Sequence, residues 1–130
     1  MNYLAILIAT GIYYVLHLLW YFPFAFGNIW LKLIGKEEIS KQQIIKESII
    51  MIFTALATNF ILAYILELTD TTNIIMGLLI TVLLYAGFVL PIAINQALFM
   101  ARTNIKLFLI EYGYYLVGFL ISGTIISLWQ

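Results

Sequence analysis

The sequence predicts an all-α integral membrane protein, a single domain over residues 1–130 built as an antiparallel bundle of four transmembrane helices. Three observations predict it. Of 130 residues, 65% are hydrophobic and only 9% charged, whereas a soluble domain carries roughly 25% charged residues. The twelve charges leave four uncharged runs, residues 1–31, 48–66, 71–101 and 112–130, of 31, 19, 31 and 19 residues. A helix needs about 20 apolar residues to cross roughly 30 Å of hydrocarbon, so each run holds one span, and 31 residues are too few for two spans and a turn. Finally, the six Lys and Arg all fall between the first and second spans or between the third and fourth. The positive-inside rule then puts both termini outside and the loops 23–43 and 101–104 in the cytoplasm.

The first helix is expected over residues 3–22. Its run is too long for the apolar core of a cleaved signal, and the first charge of any kind is Lys32, so a retained helix is the reading. Pro23 marks where it stops or bends. The following stretch, 24–35, is expected to lie along the membrane surface as a short helix or loop, since Trp20, Tyr21, Phe22, Phe24, Phe26 and Trp30 crowd this interface and Trp129 marks the opposite one. Ser40 and Gln43 fit a capping box that opens the second helix about two turns before it enters the bilayer, with its body near 44–68. The third helix is expected near 74–100 and the fourth near 105–129.

Composition excludes several chemistries. Six basic and six acidic residues leave no excess charge for nucleic acid. With no cysteine and one histidine, the chain cannot supply thiolate or di-iron ligand sets, so no metal and no cofactor is expected. Asp70 lies alone in a loop, Ser122 and His17 fall near opposite faces, and the eight glycines form no phosphate-binding loop. Catalysis is therefore without support in the sequence.

What remains is a short set of polar groups inside the spans: His17, Asn59, Asn95, Gln96 and Glu111. Such groups are costly in hydrocarbon and normally face other helices. His17, Asn95 and Glu111 each lie about five or six residues, roughly 8–9 Å, inside the cytoplasmic end of their helices. They are the expected ligand or proton site in the inner half of the bundle. Asn59, about 18 Å deep, is expected with Gln96, Pro91 and Gly118 to pack helices or line that site. Helical spacing suggests four inward stripes: Ala9/Tyr13/His17, Ala55/Asn59/Ala63, Gly87/Pro91/Asn95, and Glu111 with Tyr115, Gly118 and Ser122. Each group also has a plainer use. The amides can be interhelical glue, His17 can snorkel to the interface, and Lys106 or Arg102 can reach Glu111.

The segment around Leu19, Trp20, Tyr21, Pro23, Phe26, Gly27 and Trp30 resembles the opening signature of the domain of unknown function 1761 family. The tail, with Lys106, Leu107, Phe108, Gly113, Tyr114, Gly123 and Trp129, is similar too. The resemblance covers essentially the whole chain and implies a small four-helix protein of the bacterial inner membrane. It implies no activity, and ties neither His17 nor Glu111 to the family's pattern.

The functional expectation is an oligomeric small-molecule, lipid or proton-handling membrane protein. A non-catalytic scaffold or partner subunit is the alternative, and a membrane enzyme acting on lipid or quinone stands third. A bundle this small is expected to self-associate in the lipid bilayer, with Gly118/Ser122 and Ala93/Ala97 as close-packing surfaces.

Overall fold

The structure, a computed structural model, describes residues 1–36, 38–100 and 104–129. These form α1 (Tyr3–Trp20), α2 (Asn28–Leu33), α3 (Lys41–Leu68), α4 (Ile74–Phe99) and α5 (Ile105–Leu128), with no strand among the described residues. The four long helices are each long and apolar enough to cross a membrane. They follow the expected spans closely.

Four side chains set the helix starts by accepting orphan backbone N–H groups. Asn2 accepts from Ala5 at 3.1 Å, Ser40 from Gln43 at 3.2 Å, Asn73 from Met76 at 2.8 Å, and Asn104 from Lys106 at 2.9 Å. Ser40 fulfils its half of the expected capping box. The Gln43 amide turns the other way and donates to Glu47 at 2.9 Å, one helical turn on. α3 starts at Lys41, a turn earlier than its body was expected, because this cap extends it.

After α1 the chain doubles back through a tight turn, Pro23–Gly27, in which Ala25 leaves helical geometry (φ −97°, ψ −113°). Gly27 is buried there, and a Cβ would run into the carbonyl groups of Tyr21 and Phe22. Only glycine lets the backbone approach itself so closely. The short α2 follows, as the sequence suggests, and ends at Gly35 in left-handed geometry (φ +75°).

Packing order differs from chain order. α1 packs against both α3 and α5, and α5 packs against α4, while α3 and α4 scarcely touch. Across the bundle the helices thus run α3, α1, α5, α4. At one end Asn2 donates to the Trp129 carbonyl at 2.6 Å, and the amino terminus meets Glu67 at 3.4 Å. Both termini and the α3–α4 loop, with Asp70, therefore share one acidic end, and Lys32, Lys36, Lys41, Lys46 and Lys106 share the other. Glu37 and Arg102, with loop residues 101–103, lie outside the described residues. The core has two parts, aliphatic near the acidic end (Ile6, Leu62, Leu66, Ile126) and aromatic near the lysine end (Tyr13, Tyr114).

The seam between α4 and α5 is a reciprocal lock. Gly77 of α4 gives room to Ser127 of α5, and Gly123 of α5 gives room to Thr81 of α4. Midway along α4, residues Tyr85–Val89 form a π-bulge in which the Leu90 N–H donates to the Tyr85 carbonyl, just before Pro91. The bulge keeps both halves of α4 on α5. Sixteen residues at about 100° each would leave Ala93 roughly 160° around from Gly77. Absorbing one residue cuts that to about 60°, and Ala93 is fully buried.

Two expectations about faces need correction. The Gly87/Pro91/Asn95 stripe points outward and is exposed, because Gly77, Thr81, Tyr85 and Ala93 are the buried side of α4. The close-packing surfaces expected to join copies are used inside the chain instead. Gly118 and Ser122 are buried, with Tyr13 lying across Gly118, and Ala93 is buried with Ala97 half-buried. The Ala9/Tyr13/His17 and Ala55/Asn59/Ala63 stripes do face inward, His17 being half-buried.

Candidate functional site

Because α3 and α4 diverge from the loop that joins them, a cleft opens between them toward the lysine end. Its volume is about 550 Å³. Tyr13 of α1 and Phe119 of α5 form its floor, and Phe88 and Ile92 of α4 form one apolar wall. α3 forms the other wall with Thr54 and Thr58, which sit one helical turn apart. Glu111, Tyr112 and Tyr115 of α5 bring polar groups to the same cleft. Glu111 is half-buried and Tyr115 is 37% exposed. The cleft thus offers an apolar wall on α4, hydroxyls on α3, and one carboxyl with further hydroxyls on α5.

The π-bulge shapes this wall. Phe88 and Val89, both in or next to the widened turn, line the cleft. Tyr85, also in the bulge, turns inward and donates its hydroxyl to the Tyr112 carbonyl at 2.6 Å.

The predicted trio separates. Glu111 lines the cleft. Asn95 lies on the exposed face of α4 and does not. Its neighbour Gln96, also exposed, shares a small recess of about 40 Å³ with Glu111 and Tyr112. His17 stands in an aromatic cage, its ring 4.9 Å from that of Tyr21 and 5.4 Å from that of Tyr114. Its Nδ1 is buried and meets no hydrogen-bond partner among the described residues. The cage is fixed by two bonds to backbone: Trp20 Nε1 donates to the Ile110 carbonyl at 2.9 Å, and the Tyr114 hydroxyl to the Tyr13 carbonyl at 3.3 Å.

The motif residues form one fold-back. Trp20 meets Phe26 at a tilt with ring centres 4.8 Å apart, Tyr21 meets Trp30 edge-on at 5.2 Å, and Pro23 and Gly27 bound the turn between them. Their shared role is to hold α2 under the ends of α1 and α5. Asn59, with no exposed surface, donates to the Thr10 hydroxyl at 3.3 Å and the Ala55 carbonyl at 3.0 Å, tying α3 to α1. Pro91 is exposed beside the bulge.

Sequence reasoning missed Thr54, Thr58, Phe88 and Ile92. A threonine in a helix commonly spends its hydroxyl on its own backbone, as Thr54 does with the Met51 carbonyl at 3.0 Å. Nothing in its type therefore marks it. The i, i+4 spacing of Thr54 and Thr58 is the only sign. A further recess of about 400 Å³ at the acidic end is lined by Glu67, Asp70, Thr71 and Trp129 among others. No group of three His, Asp or Glu that could hold a metal ion stands together among the described residues.

Residues 4–127 match the family described as Protein of unknown function (DUF1761). No curated protein and no solved structure matches the chain.

Proposed function

We infer a function for a chain that belongs to that family: it is a multi-pass protein of the bacterial inner membrane that holds a small amphiphile in the cleft between α3 and α4. The observation that carries this reading is the cleft itself, about 550 Å³ with apolar walls and Glu111, Tyr115, Thr54 and Thr58 on its lining. Ligand sites commonly enclose about 300–1,000 Å³, mostly apolar with a few placed polar groups. Polar side chains set among apolar spans are costly and favour a functional reading.

The membrane setting rests on four helices of sufficient length and apolarity and on the separation of charge between the two ends. With the lysine end cytoplasmic, both termini are outside and the cleft lies in the inner half of the bilayer. Glu111 is six residues into α5, about 9 Å from its start. Since α3 and α4 diverge, the cleft opens sideways into lipid, and an amphiphile reaches it without crossing water. A head group meets the hydroxyls and the Glu111 carboxyl while its apolar body lies along Phe88 and Ile92. The scaffold reading keeps one observation in its favour, the buried Asn59–Thr10 bond, which acts only between helices.

Native mass spectrometry of the protein released in patches of its own membrane tests the reading. Wild type is expected to carry a discrete extra mass. Thr54→Trp, at an exposed position on the lining, should fill the cleft and remove that mass, and Glu111→Gln should reduce it. A bare protein in all three samples would overturn the proposal in favour of the scaffold.

A further inference from the structure

We propose that the outward face of α4 around Gly87 and Asn95 is where a second copy of this chain docks, making a parallel dimer about a two-fold axis along the membrane normal. This rests on the membrane setting proposed above and not on what the cleft holds. It starts from a mismatch between chemistry and placement. α4 is the span with the least of its surface buried in the chain, since only α5 packs along it. On its open side stand Leu83, Gly87, Pro91, Asn95 and Leu98, with Leu83 60% and Leu98 63% exposed and the other three exposed as well. Asn95 makes no side-chain hydrogen bond among the described residues.

A 26-residue helix is about 39 Å long against roughly 30 Å of hydrocarbon. Centred in the bilayer, α4 puts Gly87 at the midplane and Asn95 about 13 Å from it, still within the apolar half-thickness of about 15 Å. There the amide faces lipid tails that can neither donate nor accept. A polar side chain at that depth belongs against another helix, and among the described residues none hydrogen-bonds to it.

A second copy answers the mismatch most simply. An asparagine amide both donates and accepts, so it is complementary to itself, and a two-fold axis sets Asn95 against the same residue of the other copy. The face carries no charged side chain that would repel its twin. At the midplane Gly87 leaves open space: a Cβ there would meet nothing within 4 Å. Two such helices can approach closely and cross at Gly87. Pro91, lacking an N–H, frees a carbonyl one turn earlier on the same side, a second polar group that a neighbouring helix would shield from lipid.

The test uses the full chain in lipid nanodiscs. Native mass spectrometry of wild type should show two chains per particle. Asn95→Leu and Gly87→Leu, both at exposed positions, should leave single chains, with association roughly tenfold weaker, the scale that interhelical hydrogen bonds reach in membranes. Gly11→Leu is the control: Gly11 is also exposed with open space before its Cβ, but on α1, and it should keep the dimer. Because the chain has no cysteine, Asn95→Cys should form a cross-linked dimer in oxidised membranes. A single-chain wild type, a dimer that survives both α4 substitutions or is lost in Gly11→Leu, or a partner of another mass in place of the second copy would each overturn the proposal.

Discussion

Gly123→Ala puts the lock between α4 and α5 to a direct test. A methyl group on Gly123 would press on the Thr81 hydroxyl and lie 3.0 Å from Thr81 Cβ and 3.1 Å from its Cγ2, where ordinary contact is 3.4–4 Å. Thr81 has little freedom to yield. It has no exposed surface, it is branched at Cβ, and its hydroxyl is held by the Gly77 carbonyl at 2.7 Å. The two helices must therefore part by about half an ångström or more, and overpacking of this kind costs about 1–3 kcal/mol. Equilibrium unfolding in mixed micelles, followed by circular dichroism against the fraction of denaturing detergent, reads that loss. The double variant Thr81→Ala/Gly123→Ala removes the hydroxyl and Cγ2 that the new methyl meets. It should be more stable than the two single losses summed, because neighbours in contact do not add. Gly11→Ala, inside α1 with nothing within 4 Å of its Cβ, should hold stability or raise it by up to about 1 kcal/mol, the helix-propensity gain of alanine over glycine. If Gly123→Ala matched Gly11→Ala, or if the double variant were simply additive, the lock would not be what joins α4 to α5.

Two further outcomes follow from buried contacts. Asn59→Leu should change unfolding stability by less than about 1 kcal/mol in the same assay, since the Thr10 hydroxyl keeps its bond to the Ile6 carbonyl at 2.8 Å and the unpartnered Asn59 Oδ1 disappears; a much larger loss would mean the amide carries the α1–α3 contact. Gly27→Ala should open the fold-back, because its Cβ would lie 2.9 Å from the Phe22 carbonyl carbon and oxygen, and limited trypsin digestion at Lys32 and Lys36 should speed up severalfold while the four long helices keep their circular dichroism.

The four long helices were legible because the few charged residues interrupt an otherwise apolar sequence. Lys32 and Lys46, Glu67 and Asp70, and Arg102 and Lys106 bracket them almost unaided, and Ser40 marks a start by its side-chain cap. Faces were harder to read. In a soluble protein an exposed position is polar and a buried one apolar, but here many exposed side chains are as apolar as the core. Leu83 and Leu98 at the surface therefore look like Leu62 and Leu66 inside. Polar residues betrayed a face only where neighbouring helices hold them, as with Asn59. For Asn95 the same rule pointed inward, whereas among the described residues that side of α4 is exposed. The cleft was invisible for a related reason. It arises from the divergence of α3 and α4, a relation between helices that no single-helix pattern contains. The reciprocal fit of Gly77 with Ser127 and Gly123 with Thr81 likewise needs both helices in register before it can be seen.

The π-bulge gives α4 a property that concerns the reading frame of the helix more than its shape. The widened turn at Tyr85–Val89 already accommodates one residue beyond the α-helical count. Losing one residue from those five restores the ordinary ladder and leaves Gly77 and Thr81 above, and Ala93 below, on the faces they now occupy. A loss between Gly77 and Thr81 instead breaks the spacing of the lock itself and turns Gly77 by about 100° relative to Thr81, so that the two cannot both face α5 as they now do. Single-residue deletions in α4 should therefore be tolerated around the bulge and not between Gly77 and Thr81. Proteins of this architecture whose third span is one residue shorter should lack the bulge and keep the same neighbours.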